Sequence, residues 1–297
     1  MGDQCAQLGS VSKACEMIGL SASTYYYRPK VSELERERRD ADLKEQIEAI
    51  QLEHPSYGYR RILHQLRRAG QRVNAKRIRR VMAKYELEPA VWKTFTRTTD
   101  SSHALQVFEN RLRGRAVSGI NRAWVADLTY IRIVSCFVYL AVILDLFSRK
   151  VIGWALSKRL EASLCLEALR MAIAQRQPQA GCIHHSDRGV QYASAEYVFE
   201  LKEHLFDISM SAKGNPYENA FAESFFKTLK YEEVHLWNYE TYDDVLERVP
   251  YFIEQVYNQK RLHSGLGYRP PTEFEQLFLS GQLRRGTGKD PTVIVSG

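Results

Sequence analysis

Residues 124–156 carry three β-rich runs joined by connections of only a few residues, and this block restricts the available folds more than any other feature. The runs at 124–134 and 137–145 meet at Ser135-Cys136, and a third follows at 150–156. Runs rich in Val, Ile, Tyr and Phe with such short links read as an antiparallel meander. The pattern then alternates: helix at 161–175, strand at 181–185, helix at 194–204, strand at 206–210, and a helix from Asn215. A β-β-β-α-β-α-β-α order predicts an α/β layer structure around a mixed five-stranded sheet.

Everything before this block is predicted helical. Residues 11–18 form a helix that Gly19 breaks, and Ser21 can cap a second short helix, so 1–30 has the outline of a helix-turn-helix. A charge-rich helix with Leu43, Ile47 and Ile50 along one stripe follows, so 31–53 reads as a connector. Residues 57–85 hold ten Lys or Arg and no acid. There Ile62, Leu63 and Leu66 line one helix closed by Gly70, while Asn74 caps another whose Ile78, Val81 and Met82 face inward. Lys76, Arg77 and Arg80 are left for solvent or phosphate, with Arg60 and Arg61 on the preceding helix. A one-signed surface repels itself and makes physical sense opposite a polyanion. The module at 54–100 is therefore expected to bind DNA. A polar linker at 101–119, the α/β core at 120–280 and a flexible tail at 281–297 complete the expected organisation.

The whole chain leans the same way, with 42 Lys and Arg against 35 Asp and Glu among its 297 residues. Five cysteines without a close pair suggest neither a disulfide framework nor a tetrahedral zinc site. The polar N-terminus and the lack of a long apolar run point to a reduced, cytoplasmic protein.

Three acids stand out. Asp127 interrupts the apolar run WVADLTYI, where a carboxylate is unfavourable unless paired or metal-bound. Asp187 ends the strand CIHHSD, at the kind of strand terminus where α/β proteins place ligand chemistry. In the segment beginning NPYENAFAE, Asn215 can cap a helix with Pro216 first and Glu218 as its reciprocal capping partner. That leaves Glu223 as the third acid, on one helical face with Lys227 and Lys230. Singly, each acid also has an ordinary reading: an edge salt bridge, a turn before glycine, a surface ion pair.

The combination is more specific. Fifty-nine residues separate Asp127 from Asp187, thirty-five separate Asp187 from Glu223, and Lys230 follows seven later. With HPSYGYRRI, WVADLTYI, LDLFSRKVIGW, HHSDRGVQY, NPYENAFAESFFKTLK and YNQKRLHSGLGYRPP in order, the chain resembles the second-frame product of the IS3 family of bacterial insertion sequences. That family lies within the DDE transposase and retroviral integrase superfamily. The resemblance spans about residues 10–280 and implies an RNase H-like integrase catalytic core preceded by small all-α helix-turn-helix modules. It implies catalytic, metal-holding roles for Asp127, Asp187 and Glu223, and a basic partner role for Lys230. It further implies DNA at the element ends and the target as substrate, a homo-oligomer on DNA, a nucleoid-associated location and an upstream-frame partner protein. Neither a zipper repeat nor the retroviral His-His-Cys-Cys module is found near the N-terminus.

Hard cations suit such a site, so two Mg²⁺ ions, replaceable by Mn²⁺, are expected, with Asp127 bridging them. Water would first free a 3′-hydroxyl at the element end, and that hydroxyl would attack target DNA. His185, beside His184, could orient Asp187, and Asn258, Arg261 and His263 fall in a polar stretch that could line a DNA channel. Two other classes fit the same features: a DNA-binding regulator with an idle site, and a nuclease that cuts without joining.

Overall fold

The computed structural model describes residues 11–27, 32–90, 106–212, 219–283 and 292–294. The predicted meander forms as β2 (Ala123–Arg132), β3 (Phe137–Asp145) and β4 (Val151–Ser157), with register running from Trp124↔Asp145 to Arg132↔Phe137. On its other side β2 pairs in parallel with β5 (Ile183–Ser186), which pairs in parallel with β6 (Asp207–Met210). The mixed sheet therefore runs β4-β3-β2-β5-β6, with β2 at its centre. Strand β3 is apolar on both faces because both faces are covered.

One face packs on α6 (Ala162–Arg176) and α7 (Ala195–Glu203), through Trp124, Ala126 and Ile143 against Leu169, Tyr197 and Leu201. Gly153 lets α6 approach this closely: a methyl there would collide with the Ala168 carbonyl and lie 2.8 Å from Ala172 Cβ. The other face packs on α8 (Ala220–Leu229), α10 (Tyr242–Tyr251) and α11 (Pro271–Leu279), with α9 (His235–Trp237) between the first two. Val125, Val142 and Leu144 meet Phe225, Val245 and Phe274 there.

Helices α8 and α10 each run into a π-helical stretch, Lys230–Val234 and Phe252–Tyr257. The second begins two residues after Pro250, whose missing N–H disturbs the regular ladder. The expected capping role of Asn215, Pro216 and Glu218 lies outside the described residues. Asn219 precedes the first turn of α8.

The N-terminal elements are α1 (Val11–Met17), α2 (Ala22–Tyr26), α3 (Glu33–Glu53), α4 (Tyr59–Arg68) and α5 (Ala75–Lys84). Ser21 caps α2 by accepting from Thr24 N, and Asn74 caps α5 by accepting from Arg77 N at 2.8 Å. Gly70 takes φ +80° after α4, and Gln71 N donates back to Leu66 O at 2.9 Å, a glycine-closed helix end.

Two expectations are corrected. Helix α3 is no connector: Leu43 and Ile47 share a core with Ile62, Leu66, Ile78 and Val81, so α3, α4 and α5 bury one another's apolar stripes. Nor are the linker and tail wholly irregular, because Ala116–Val117 (β1) pairs antiparallel with Val293–Ile294 (β7), joining short β-branched segments far apart in sequence. Among the described residues no helix is long and apolar enough to cross a membrane.

The three-helix unit is docked on the sheet domain. Tyr57 is fully buried and its hydroxyl accepts from Leu262 N at 2.8 Å. Arg61 Nε donates to Leu262 O, and His64 stacks on Tyr268 with ring centroids 3.7 Å apart. Gly153→Ala is expected to lower stability by about 1–3 kcal/mol, the usual range for overpacking. A shift of the urea midpoint would register this, and an unchanged midpoint would mean that the strand–helix contact yields.

Candidate active site

Strands β2 and β5 are parallel neighbours in which Val125 stands opposite His185. Asp127 and Asp187 each lie two residues beyond that pair. Both therefore point to the same face at the same end of the sheet. Asp127 is half-buried and accepts from Leu128 N at 2.8 Å. Asp187, also half-buried, lies in the turn after β5, where Gly189 N donates to its Oδ1 at 2.9 Å. A side chain at residue 189 would crowd that oxygen at 3.0 Å.

Helix α8 crosses the same face and carries Glu223 in its first turn. Ala222, Phe225, Phe226 and Leu229 are buried, which turns Glu223 and Lys227 outward along one flank. Buried Asn219 reaches from the helix start to the Ala126 carbonyl at 3.4 Å and so ties α8 to the strand beside Asp127. Sequence reasoning assigned Asn219 no role, and nothing in its local pattern marks one.

Burial and then the charge of Asp187 push the Asp127 carboxyl well above its ordinary range. The Leu128 amide opposes this, Glu223 adds to it, and Lys230 offsets part of it. Burial likewise raises Glu223 and lowers Lys230, while Asp127 pulls Lys230 back up. Lys230 Nζ sits 4.9 Å from the centre of the Tyr130 ring, and Lys227 Nζ lies 5.8 Å from that of Tyr231. The charges of Asp187, exposed Glu223 and half-buried Lys230 thus all act on the Asp127 carboxyl. The three carboxylates would offer oxygen donors, the type hard divalent cations require. Among the described residues no three His, Cys, Asp or Glu side chains converge closely enough to complete a metal shell.

His185 is fully buried, with Nδ1 2.8 Å from Ser209 Oγ, and His184 Nε2 lies 2.9 Å from the Tyr197 hydroxyl. Burial pushes His184 down to about 3, so it is neutral at any ordinary pH.

The residues expected to line a DNA channel are interior instead, and each has a partner that local sequence could not reveal. Asn258 accepts from Val151 N at 3.0 Å and donates to Val151 O at 2.9 Å, acting as an extra strand partner for β4. Arg261 is 5% exposed and makes two 2.7 Å bonds to Glu232 from the first π-helical stretch. His263 is buried edge-on against Tyr257.

In the basic unit the structure divides the predicted contacts. Lys76 and Arg60 are exposed. Arg60 and Arg79 flank the ring of Tyr59, with guanidinium carbons 5.6 and 5.4 Å from its centre. Arg77 and Arg80, expected to be free for phosphate, both pair with buried Asp40 of α3 at 3.3 and 2.9 Å. Arg61 is turned inward to Leu262.

Comparison with known proteins gives a consistent result. Integrase core domain families match residues 118–216 and 205–271, and an HTH-like domain family matches 37–93. The chain is 37% identical over 254 residues to the transposase for insertion sequence element IS904 of Lactococcus lactis, covering 84% of this chain and 98% of that one. It is 35% identical over 276 residues to transposase InsF for insertion sequence IS3A of Escherichia coli, covering 91% and 96% respectively. A chain of the simian T-cell lymphotropic virus intasome structure aligns over 68% of this chain and 67% of its own, with 18% identity and a TM-score of 0.44.

The raised Asp127 has a thermodynamic signature. A carboxyl whose folded pKa exceeds its unfolded value holds its proton more tightly when folded, so stability falls as pH rises from about 4 towards the folded value. In chelator, wild-type stability should therefore lose a pH-dependent part that Asp127→Asn retains. Parallel urea titrations between pH 4 and 8 would check this, and curves of identical shape would contradict the assigned field.

Proposed function

From the premise that this chain belongs to the IS3-family insertion-sequence transposases, with an integrase core, we propose that Asp127, Asp187 and Glu223 are its catalytic carboxylates. The supporting observation is their placement on one face of the sheet. Two adjacent parallel strands deliver the aspartates in matched register, and α8 brings in a glutamate whose charge bears on Asp127. Setting two further acids around an aspartate whose carboxyl is desolvated is unfavourable unless a cation is drawn in. Asp127, Asp187 and Glu223 would accordingly hold the divalent ions. Mg²⁺ or Mn²⁺ bound there would acidify the attacking hydroxyl and stabilise the departing oxygen.

The protein's own groups supply position and charge. Leu128 N and Gly189 N orient the two aspartates. Lys230, held over Tyr130, neutralises part of the acidic field and can face a phosphate oxygen. In the first step water forms a bond to phosphorus and the element's 3′-oxygen leaves with a proton. In the second that 3′-hydroxyl attacks a target phosphodiester, whose own 3′-oxygen leaves. Neither step requires a covalent link to protein. Tyr192, beside the site, suits a structural role, since burial raises its phenol well above the ordinary value.

We also assign DNA contact to the exposed cations Arg60, Lys76 and Arg79 of the helical unit, to exposed Lys227 of α8 and to half-buried Lys230 just beyond it. Arg77, Arg80, Arg61, Asn258, Arg261 and His263 hold the protein together in this reading. Assembly as an oligomer on DNA, partnership with an upstream-frame protein and a cytoplasmic, nucleoid-associated location remain part of the proposal.

Asp187→Asn is expected to reduce both end cleavage and strand transfer by about three orders of magnitude, some 4 kcal/mol, while DNA affinity changes little. A labelled element end joined to plasmid DNA in Mg²⁺ is the assay. Wild-type joining by the variant would reject the assignment, and cleavage without joining by the wild type would make the protein a nuclease. Lys76→Gln should flatten the salt dependence of DNA binding by about 0.9 in log–log slope. Arg77→Gln should instead lower the melting temperature, because it strips one partner from buried Asp40.

A further inference from the structure

A second polar cavity lies on the opposite flank of α8. Its volume is about 130 Å³, and its polar lining includes Arg61, Arg149, Arg261 and His263, closed on one side by Phe221, Ser224 and Thr228 of the helix. Among these cations Arg261 is neutralised by Glu232, and Arg61 donates Nε to the Leu262 carbonyl. Arg149 is different. Among the described residues it has no carboxylate within ion-pair distance, and its Nε is buried without a hydrogen-bond partner. Its backbone is held at φ +60°, a costly conformation for a side chain of this size. Gly265 leaves the guanidinium its space, since a Cβ there would lie 2.8 Å from Nη1.

His263 adds a second open polar atom to the lining. Only 5% exposed, it lines the same cavity, and its Nε2 is buried with no partner. Asp145 is the one carboxylate in the lining, and its oxygens already accept from Asn121 N at 2.7 Å and Ser148 N at 2.8 Å. Buried polar groups are normally satisfied. A guanidinium left open towards one small cavity calls for an acceptor-rich anion.

We propose that this cavity binds a phosphate group, separate from the phosphodiester at the carboxylates. Guanidinium forks match phosphate oxygens in geometry and charge. Separation follows from the strands. Leu144 and Asp145 line the cavity, whereas Asp127 stands opposite Val142, two and three positions away along β3. At about 3.4 Å per residue that is about 7–10 Å, more than one phosphate spans. The inference stands independently of the catalytic assignment. Its phosphate can come from a DNA backbone or from free phosphate in solution.

Calorimetric titration of the full chain with inorganic phosphate, in chelator and against chloride at equal ionic strength, tests it. Wild type should bind saturably, Arg149→Gln at least tenfold more weakly, and Arg149→Lys in between. Should Arg149→Gln fail to fold, Ser224→Glu, at an exposed helix position on the rim, should abolish phosphate binding in a folded protein. Absent saturation in wild type, or unchanged affinity in a folded variant, overturns the proposal. Salt titration of binding to a DNA duplex identifies the source. A slope about 0.9 smaller for the variant marks a DNA phosphate, and an unchanged slope with lost phosphate binding marks the free anion.

Discussion

The seating of α8 on the central strands is the contact on which the rest of the molecule depends. Ala222, Phe225, Phe226 and Leu229 press into the face carrying Val125 and Val142, and each large side chain so buried contributes about 1.5–3 kcal/mol. The direction of this stripe determines everything polar on the helix. One flank presents Glu223 towards Asp127, midway along β2, and the other closes the cavity around Arg149. A rotation of α8 by one residue would withdraw the glutamate and expose a phenylalanine. The apolar contact therefore holds the carboxylates together against their mutual repulsion.

That repulsion is tolerated because the frame is stiff. Strand β2 is bonded on both sides, to β3 and β5, and Asn219 fastens the helix start to the carbonyl next to Asp127. Burial, and after it the charge of Asp187, raise the proton affinity of Asp127. A soft loop would relax by moving the acids apart. A strand in the middle of a sheet cannot, so Asp127 keeps its place at the expense of stability.

Much of this was legible locally. Alternation and turns located the five strands to within two or three residues, and Asn74 and Gly70 marked helix ends that form as chemistry dictates. Other features depend on partners distant in sequence. Asn258 serves Val151 across 107 positions, and Arg261 meets Glu232 across 29. A polar run after a helix, taken alone, looks the same whether it faces solvent or a buried acid. Arg77 and Arg80 misled similarly, because Asp40 sits in a helix that read as a separate connector. The π-helical stretches lack a periodic signature, yet one of them presents Glu232 to Arg261.

The buried Arg261–Glu232 pair also explains how recognition and chemistry can be mechanically joined. It fixes the chain just before Leu262, whose backbone N–H and C=O meet the Tyr57 hydroxyl and Arg61 Nε of the basic unit. Arg68 pairs with Glu273 and Lys260 with Glu53 around the same junction, but these outer pairs are largely exposed and contribute little on their own. The enclosed contacts carry the register. They seat α4 beside the wall of the Arg149 cavity, so a phosphate entering there would be held by groups from both the basic unit and the core. Such an anion would stiffen the junction by supplying the counter-charge that Arg149 lacks, and this would couple grip on a polyanion to the placement of α8.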